Sequence, residues 1–490
     1  MPQGSAVYDY QRAARAPTGA SPVIAIFTHQ RARPPLSNIG AGLVRAIVAL
    51  AGAVVLPVLA ACRTSPAPVR EVALTAAPAS LSMIDGRPLE VWAYDGQVPG
   101  PTIRVRRGET LRVRFTNRLP QPTTVHWHGV RVPNAMDGVP GVTQPPVEPG
   151  GTFVYEFAPP DAGTFWFHPH VRASEQVERG LHGVLIVEDE APPPFSRDEV
   201  WVLDDIRLGP DGAISSEFDT RHDLAHDGRW GNVVLVNGRR RPELRVAPGE
   251  RLRLRLVNVA NGRVLRPDFG ALDARVIAVD GQYVEQPFAA GALEIAPGNR
   301  VDLDLTVPPS LAGARVVVQD RFTRRAIDVA EVVVSGDEVA TPRFVVPSGA
   351  RLTPDVSATS TEAPRLELRL NARVGGPLGI AWTINGEAMD RDHHEHAHTR
   401  YPLPLNERSR VRFVNESYRL HPMHLHGMFF RVLTRNGVAA DESFTRDTVL
   451  VHAKETVDVV TVPADPGLWM AHCHVLEHAE AGMMTLLDVR

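Results

Sequence analysis

The chain has 490 residues, a length that accommodates about three domains. Its net charge of −4 leaves no basic footprint for a nucleic-acid partner, and its two cysteines permit at most one disulfide, which excludes a disulfide-stapled scaffold. Its 39 glycines and 43 prolines suit many short strands joined by turns.

In chain order, the first patterned element is an apolar run, Ala46 to Ala61, preceded by Arg45. Its 16 residues are short for a membrane span but match the apolar core of a secretion signal. The run ends Leu59-Ala60-Ala61-Cys62, which resembles a bacterial lipobox. That resemblance implies export to the bacterial cell envelope (the periplasm). Cys62 becomes the lipidated first residue, and the chain is held at a membrane surface by lipid rather than by a spanning helix. An ordinary signal peptide cleaved nearby and an uncleaved anchor are the alternatives. No adjacent arginine pair precedes the run, so a twin-arginine signal is not supported. Residues 1–61 read as an N-terminal extension with its signal, and 62–72 as a tether.

Three similar segments follow: RRGETLRVRFTN at 106–117, APGERLRLRLVN at 247–258 and LNERSRVRFVN at 405–415. Each is a turn, then an alternating strand, then Asn. Leu111, Val113 and Phe115 face one way, Arg112 and Arg114 the other. Leu252, Leu254 and Leu256 repeat the pattern, as do Val411 and Phe413. Period-two alternation predicts half-buried strands of antiparallel sheets. Repeats this far apart suit whole β-sandwich domains rather than a solenoid.

The histidines are not scattered. Ten of the 19 fall in four clusters: His126-Trp127-His128-Gly129, His168-Pro169-His170, His421-Pro422-Met423-His424-Leu425-His426-Gly427, and His472-Cys473-His474 with His478. Cys473, the histidines around it (His478 among them) and the nearby Met483 offer a thiolate, imidazoles and a thioether, the donor set of a blue-copper electron-transfer site. His472 and His474, one residue either side of the cysteine, point the opposite way along a strand, toward a second metal site. The clusters follow the first and third repeats. Asp161 and Gly163 precede His168 as Asp465 and Gly467 precede His472. The middle repeat carries no such cluster.

The patterns HxHG, HxH, HPxHxHG and HCHxxxHxxxxM, in this order and with no ligand missing, resemble the multicopper oxidases, the family of laccases, cuprous oxidases and ferroxidases. The resemblance covers roughly residues 75–490. It implies an all-β fold of three cupredoxin-like Greek-key β-sandwich domains, at 73–190, 191–345 and 346–490. Eight imidazoles then converge between the first and third domains, and the second is a spacer. Four copper ions are implied. One type 1 copper is held by His421, Cys473 and His478, with Met483 as weak axial ligand and Met484 as the alternative. One type 2 copper is held by His126 and His424. Of two type 3 coppers, one is held by His128, His168 and His474, the other by His170, His426 and His472.

Dioxygen reduction also consumes protons. Asp137 matches the acid that relatives place by the type 2 copper; read alone, it is a turn residue before Gly138. A second relay acid is expected directly after His478, but Ala479 stands there, so Glu480 or Glu477 takes that role or the path differs. The expected partners are dioxygen and a small reductant or metal ion, acting on a monomer. A laccase-like oxidase of phenols is the first reading. A metallo-oxidase of Cu(I), Fe(II) or Mn(II) in copper tolerance is the second, and the lack of a methionine-rich insertion weakens it. A non-catalytic copper binder or scaffold is the reading from another class. His393, His394, His396 and His398 form a polar loop or an auxiliary metal patch. His222 and His226 read as loop residues, and His182 and His452 as structural residues in strands.

Overall fold

The computed structural model describes residues 68–191, 193–344, 363–391 and 399–490. Cys62 and His393–His398 lie outside them. None of the described helices is long and apolar enough to cross a membrane.

The described strands form three pairs of sheets. In the first pair, one sheet runs in the order Arg87–Tyr94, Val69–Ile84, Thr110–Asn117, Thr152–Phe157. The facing sheet runs Thr102–Arg106, Gly183–Glu188, Gly163–His168, His126–His128. The second pair has six and four strands. In the third pair, the site-bearing sheet runs Arg400–Leu403, Met484–Val489, Gly467–Cys473, His421–Leu425, Thr448–Val451.

The three sequence repeats occupy one topological place. The strands Thr110–Asn117, Arg251–Asn258 and Ser409–Asn415 each pair parallel with one neighbour and antiparallel with the other. Leu111, Val113 and Phe115 are fully buried, as are Leu252, Leu254, Val411 and Phe413. The terminal asparagines also do one job. Asn117, Asn258 and Asn415 each donate from Nδ2 to loop carbonyls and accept the backbone N–H two residues on. Each thereby closes the loop that follows its strand.

The middle repeat departs from the half-buried expectation. Arg253 and Arg255 are buried. Arg253 pairs with Asp302 and Asp189; Arg255 pairs with Asp198 and donates to Thr164. The first sandwich covers that face. Arginines that would snorkel into water on an isolated sheet are instead neutralised and hydrogen-bonded inside an interface.

Candidate metal centres

Strand pairing aligns the histidines. His126 lies opposite His168 in the first sandwich, and His424 lies opposite His472 in the third. Side chains two residues apart share a strand face, so each HxH turns two imidazoles the same way. The two sandwiches then meet ring on ring. His126 stacks on His426 with centroids 3.9 Å apart, and His128 on His424 at 3.8 Å. The arrangement is a local twofold in which each HxHG pair grips the other. All eight imidazoles are buried.

The second elements of each donor set come from short turns. His170 ends the segment before helix α1 (Ala173–Glu178), and His478 lies in helix α3 (Leu476–Glu480). Donor atoms of His128, His168 and His474 lie within 4.8 Å of one another, as do those of His170, His426 and His472. His126 groups with His424 and His426 on the same criterion.

Hydrogen bonds decide which nitrogen of each ring faces inward. His126 and His424 donate from Nδ1 to the carbonyls of Asp137 (2.7 Å) and Asp447 (2.9 Å). His168 donates from Nδ1 to the Pro169 carbonyl (3.0 Å). Their Nε2 atoms, with Nδ1 of His128 and Nε2 of His170, are buried and have no hydrogen-bond partner. His426 donates to the Asp137 carboxylate (2.8 Å) and His472 to the Cys473 carbonyl (2.8 Å). Their remaining nitrogens, both lone pairs, face each other at 3.1 Å. Lone pairs held so close and dry repel unless a cation lies between them.

The Cys473 site shows the same signature. His478 donates from Nε2 to the His226 carbonyl (2.6 Å). His421 donates from Nε2 to Ser417 Oγ (2.8 Å), whose own proton goes to Asn415 Oδ1. The two Nδ1 atoms lie 3.2 Å apart and 3.6 and 3.8 Å from Cys473 Sγ. Donors spaced around a trigonal metal at ordinary bond lengths sit about 3.6 Å apart, so the triangle fits one ion. Trp382 packs on His478 with centroids 4.1 Å apart. Met483 is fully buried in the core that contains Cys473, whereas Met484 belongs to a separate apolar cluster with Met470 and Ala479.

Burial drives His128, His168, His170, His421, His426 and His474 well below the usual imidazole pKa, and neighbouring imidazoles push the same way. Burial takes His472 and His478 down to about 3. Neutral imidazole is the form that binds metal. Burial also pushes the Cys473 thiol up, so a thiolate there requires a cation beside it. The donor sets therefore fit metal ions on their own chemistry.

These geometries agree with comparison against known proteins. Multicopper oxidase family models match residues 76–192, 212–312 and 363–490. Multicopper oxidase MmcO of Mycobacterium tuberculosis is 30% identical over 458 residues, covering 85% of this chain and 86% of that protein. The chain belongs to the multicopper oxidase family. Bilirubin oxidase of Albifimbria verrucaria is 30% identical over 429 residues, covering 81% of this chain and 72% of that one. A crystal structure of a multicopper oxidase from Pseudomonas thermotolerans superposes with a TM-score of 0.77 at 33% identity, covering 86% of this chain and all of that one. Membership makes the protein a copper-dependent oxidoreductase with oxygen as acceptor, built of cupredoxin-like sandwiches.

Around this oxidase's centres, the acids are placed as follows. Asp137 is buried and touches two histidines at once, His126 through its carbonyl and His426 through its carboxylate. It is also a turn residue: Gly138 has φ +83°, and a Cβ there would strike the Val125 carbonyl. Glu480 and Glu477 are both pushed up to about 7 by burial. Glu480 lines a surface pocket of 450 Å³ and accepts the Ser174 N–H of α1 on its inner side (3.4 Å). Glu477 faces inward to Asn261 and the Arg229 N–H.

Three expectations need correction. The middle sandwich is more than a spacer: it places Gly298 against His128 and His474, and the His226 carbonyl on His478. His222 lies in helix α2 (Arg221–Ala225) and His226 caps it; their rings stack at 4.3 Å. His182 and His452 flank strands rather than lying in them. Sequence reasoning also missed Asp447, which touches His424 and His128. No repeated motif marks it, since it follows His426 by a long hairpin.

Proposed function

We propose that this multicopper oxidase takes single electrons from phenols or similar small reductants at His421, Cys473 and His478, with Met483 as axial ligand. The triangle of one sulfur and two converging nitrogens, one peptide bond from His472 and His474, carries this reading. His126 and His424 would hold a type 2 copper; His128, His168 and His474 one type 3 copper; His170, His426 and His472 the other. Copper bound in these sites supplies one-electron oxidation of donors at the first and four-electron reduction of dioxygen to water at the cluster. Within the chain, Cys473 and its two neighbouring histidines form a continuous covalent route between the sites. Asp137 holds two rings in register and can pass protons at its carboxylate. Glu480, between the pocket and α1, is the second candidate for proton delivery.

A second reading, oxidation of Cu(I), Fe(II) or Mn(II), is favoured by one observation. The stacked His222–His226 pair lies beside His478, joined to it by the His226 carbonyl. Oxygen uptake by the copper-loaded protein separates the readings. Faster turnover with a methoxyphenol than with Cu(I) supports the first. The reverse order, lost on replacing His222 and His226, supports the second. A chain without oxidase activity toward any donor would instead be a copper-binding scaffold. Export with a lipid at Cys62 belongs to the same proposal. Cys62→Ala is expected to release the protein from the membrane fraction of expressing cells.

A further inference from the structure

Asp137 and Asp447 play matching parts on the two sides of the cluster. Asp137 accepts His126 on its carbonyl and His426 on its carboxylate. Asp447 accepts His424 on its carbonyl (2.9 Å), and its Oδ1 lies 3.1 Å from His128 Nε2. Thr448 Oγ also lies 3.2 Å from His128 Nε2, but it spends its proton on Asp447 Oδ1 (2.8 Å). The His128 nitrogen is therefore the donor, and its buried Nδ1 is left as the lone pair. Asp447 thus selects the inward nitrogen of two rings.

The two acids differ in what stands behind them. Among the described residues, Asp137 has ion-pair contacts only with His126 and His426. Asp447 is gripped by the fully buried Arg300 of the middle sandwich, Nη1 to Oδ1 at 2.9 Å and Nη2 to Oδ2 at 2.6 Å. Arg300 is itself fixed by the Thr164 carbonyl of the first sandwich and the Gly298 carbonyl of its own. Behind it, Asp280 accepts the backbone N–H groups of Arg300, Asp447 and Thr448. The motif glycines record the same asymmetry. A Cβ on Gly129 of HWHG would land on the Arg300 and Asp447 side chains, whereas on Gly427 of HLHG it would overlap the Trp469 ring.

We propose that Arg300 is a positioning residue for the trinuclear site. It clamps the Asp447 carboxylate bidentately so that His128 and His424 present fixed nitrogens to the metal. A lysine, a point charge without the planar fork, would not reproduce the clamp. The inference rests on the copper reading above.

The test uses the copper-loaded protein with Arg300→Lys, Arg300→Met and, as the variant of least altered shape, Asp447→Asn. Bound copper per chain, blue absorption and the electron paramagnetic resonance signal of type 2 copper are measured, together with thermal unfolding of the copper-free forms. The expected result is an intact blue band with cluster copper affinity lowered about 10–100-fold, or a changed type 2 signal, in all three variants. A purely structural ion pair would lower the unfolding temperature while leaving the loaded spectra as in the parent; that outcome overturns the proposal. If Arg300→Met does not fold, Arg300→Lys and Asp447→Asn decide the question on the same spectra. Absence of the type 2 signal in the parent protein would instead overturn the copper assignment itself, independently of Arg300.

Discussion

Cys473 is the residue whose chemistry is least replaceable. Its Sγ faces the Nδ1 atoms of His421 and His478 and accepts the Val475 N–H (3.4 Å), and serine would supply a hard, short donor in its place. Cys473→Ser is expected to abolish blue absorption and oxidase activity while circular dichroism remains that of the parent. A variant that keeps its blue colour would refute the type 1 assignment. Under the proposed function, Asp137 belongs to the oxygen side. Asp137→Asn keeps the carbonyl that holds His126 but removes the carboxylate beside His426, the proposed proton carrier. Stopped-flow measurement is expected to show unchanged bleaching by donor and reoxidation by dioxygen slowed about a hundredfold or more. Equal slowing of both phases would show that the acid only supports structure.

At the scale of elements, two hairpin-like strand pairs carry nearly everything. The pairing of His126–His128 with Gly163–His168 and of His421–Leu425 with Gly467–Cys473 sets the facing of four HxH motifs at once. The glycine that ends each HxHG lets the chain turn away beneath a neighbouring side chain. Gly427 has φ +68° and lies against the Trp469 ring. Gly427→Ala therefore meets both backbone strain and overpacking, and is expected to cost about 1–3 kcal/mol. Thermal unfolding of the copper-free protein checks this; an unchanged midpoint would mean the ring yields. Helix α3 is a single short turn, yet it presents His478 to the sulfur, Glu477 inward and Glu480 to the pocket.

At the scale of the molecule, the second and third sandwiches are also joined at the surface. His452 lies 2.9 Å from Glu294. The Glu294 hydrogen bond raises the His452 pKa, and burial only partly opposes it. For Glu294, burial pushes up, but the His452 contact and nearby charge outweigh it and the net shift is downward. A raised imidazole pKa means the pair's stabilisation is fully present below the ordinary histidine value of about 6.5 and is lost as pH rises through the raised one. On the acid side it is lost as pH falls through the depressed pKa of Glu294. The pair is partly exposed, so its worth is in the range of about 0–1 kcal/mol. His452→Gln is expected to lower the urea midpoint at mildly acidic pH and leave it unchanged in alkali. The same loss at both would assign the effect to packing.

The sequence by itself determined the histidine pairs, the cysteine set among them and the repeat. The HxH spacing, the cysteine between two histidines and the alternating Leu111–Phe115 pattern are local, and strand geometry alone turns local spacing into facing. Those eight histidines do converge between the first and third sandwiches. Tertiary structure decided what surrounds them. Arg253 and Arg255 read as the wet face of a strand, and a neighbouring sandwich buries them. His222 and His226 read as loop residues, and the middle sandwich brings them to His478. Asp447 and Arg300 are 147 positions apart, and only the meeting of all three sandwiches makes them one device. Buried charge has to find its partner in space, and nothing in linear spacing records which partner that is.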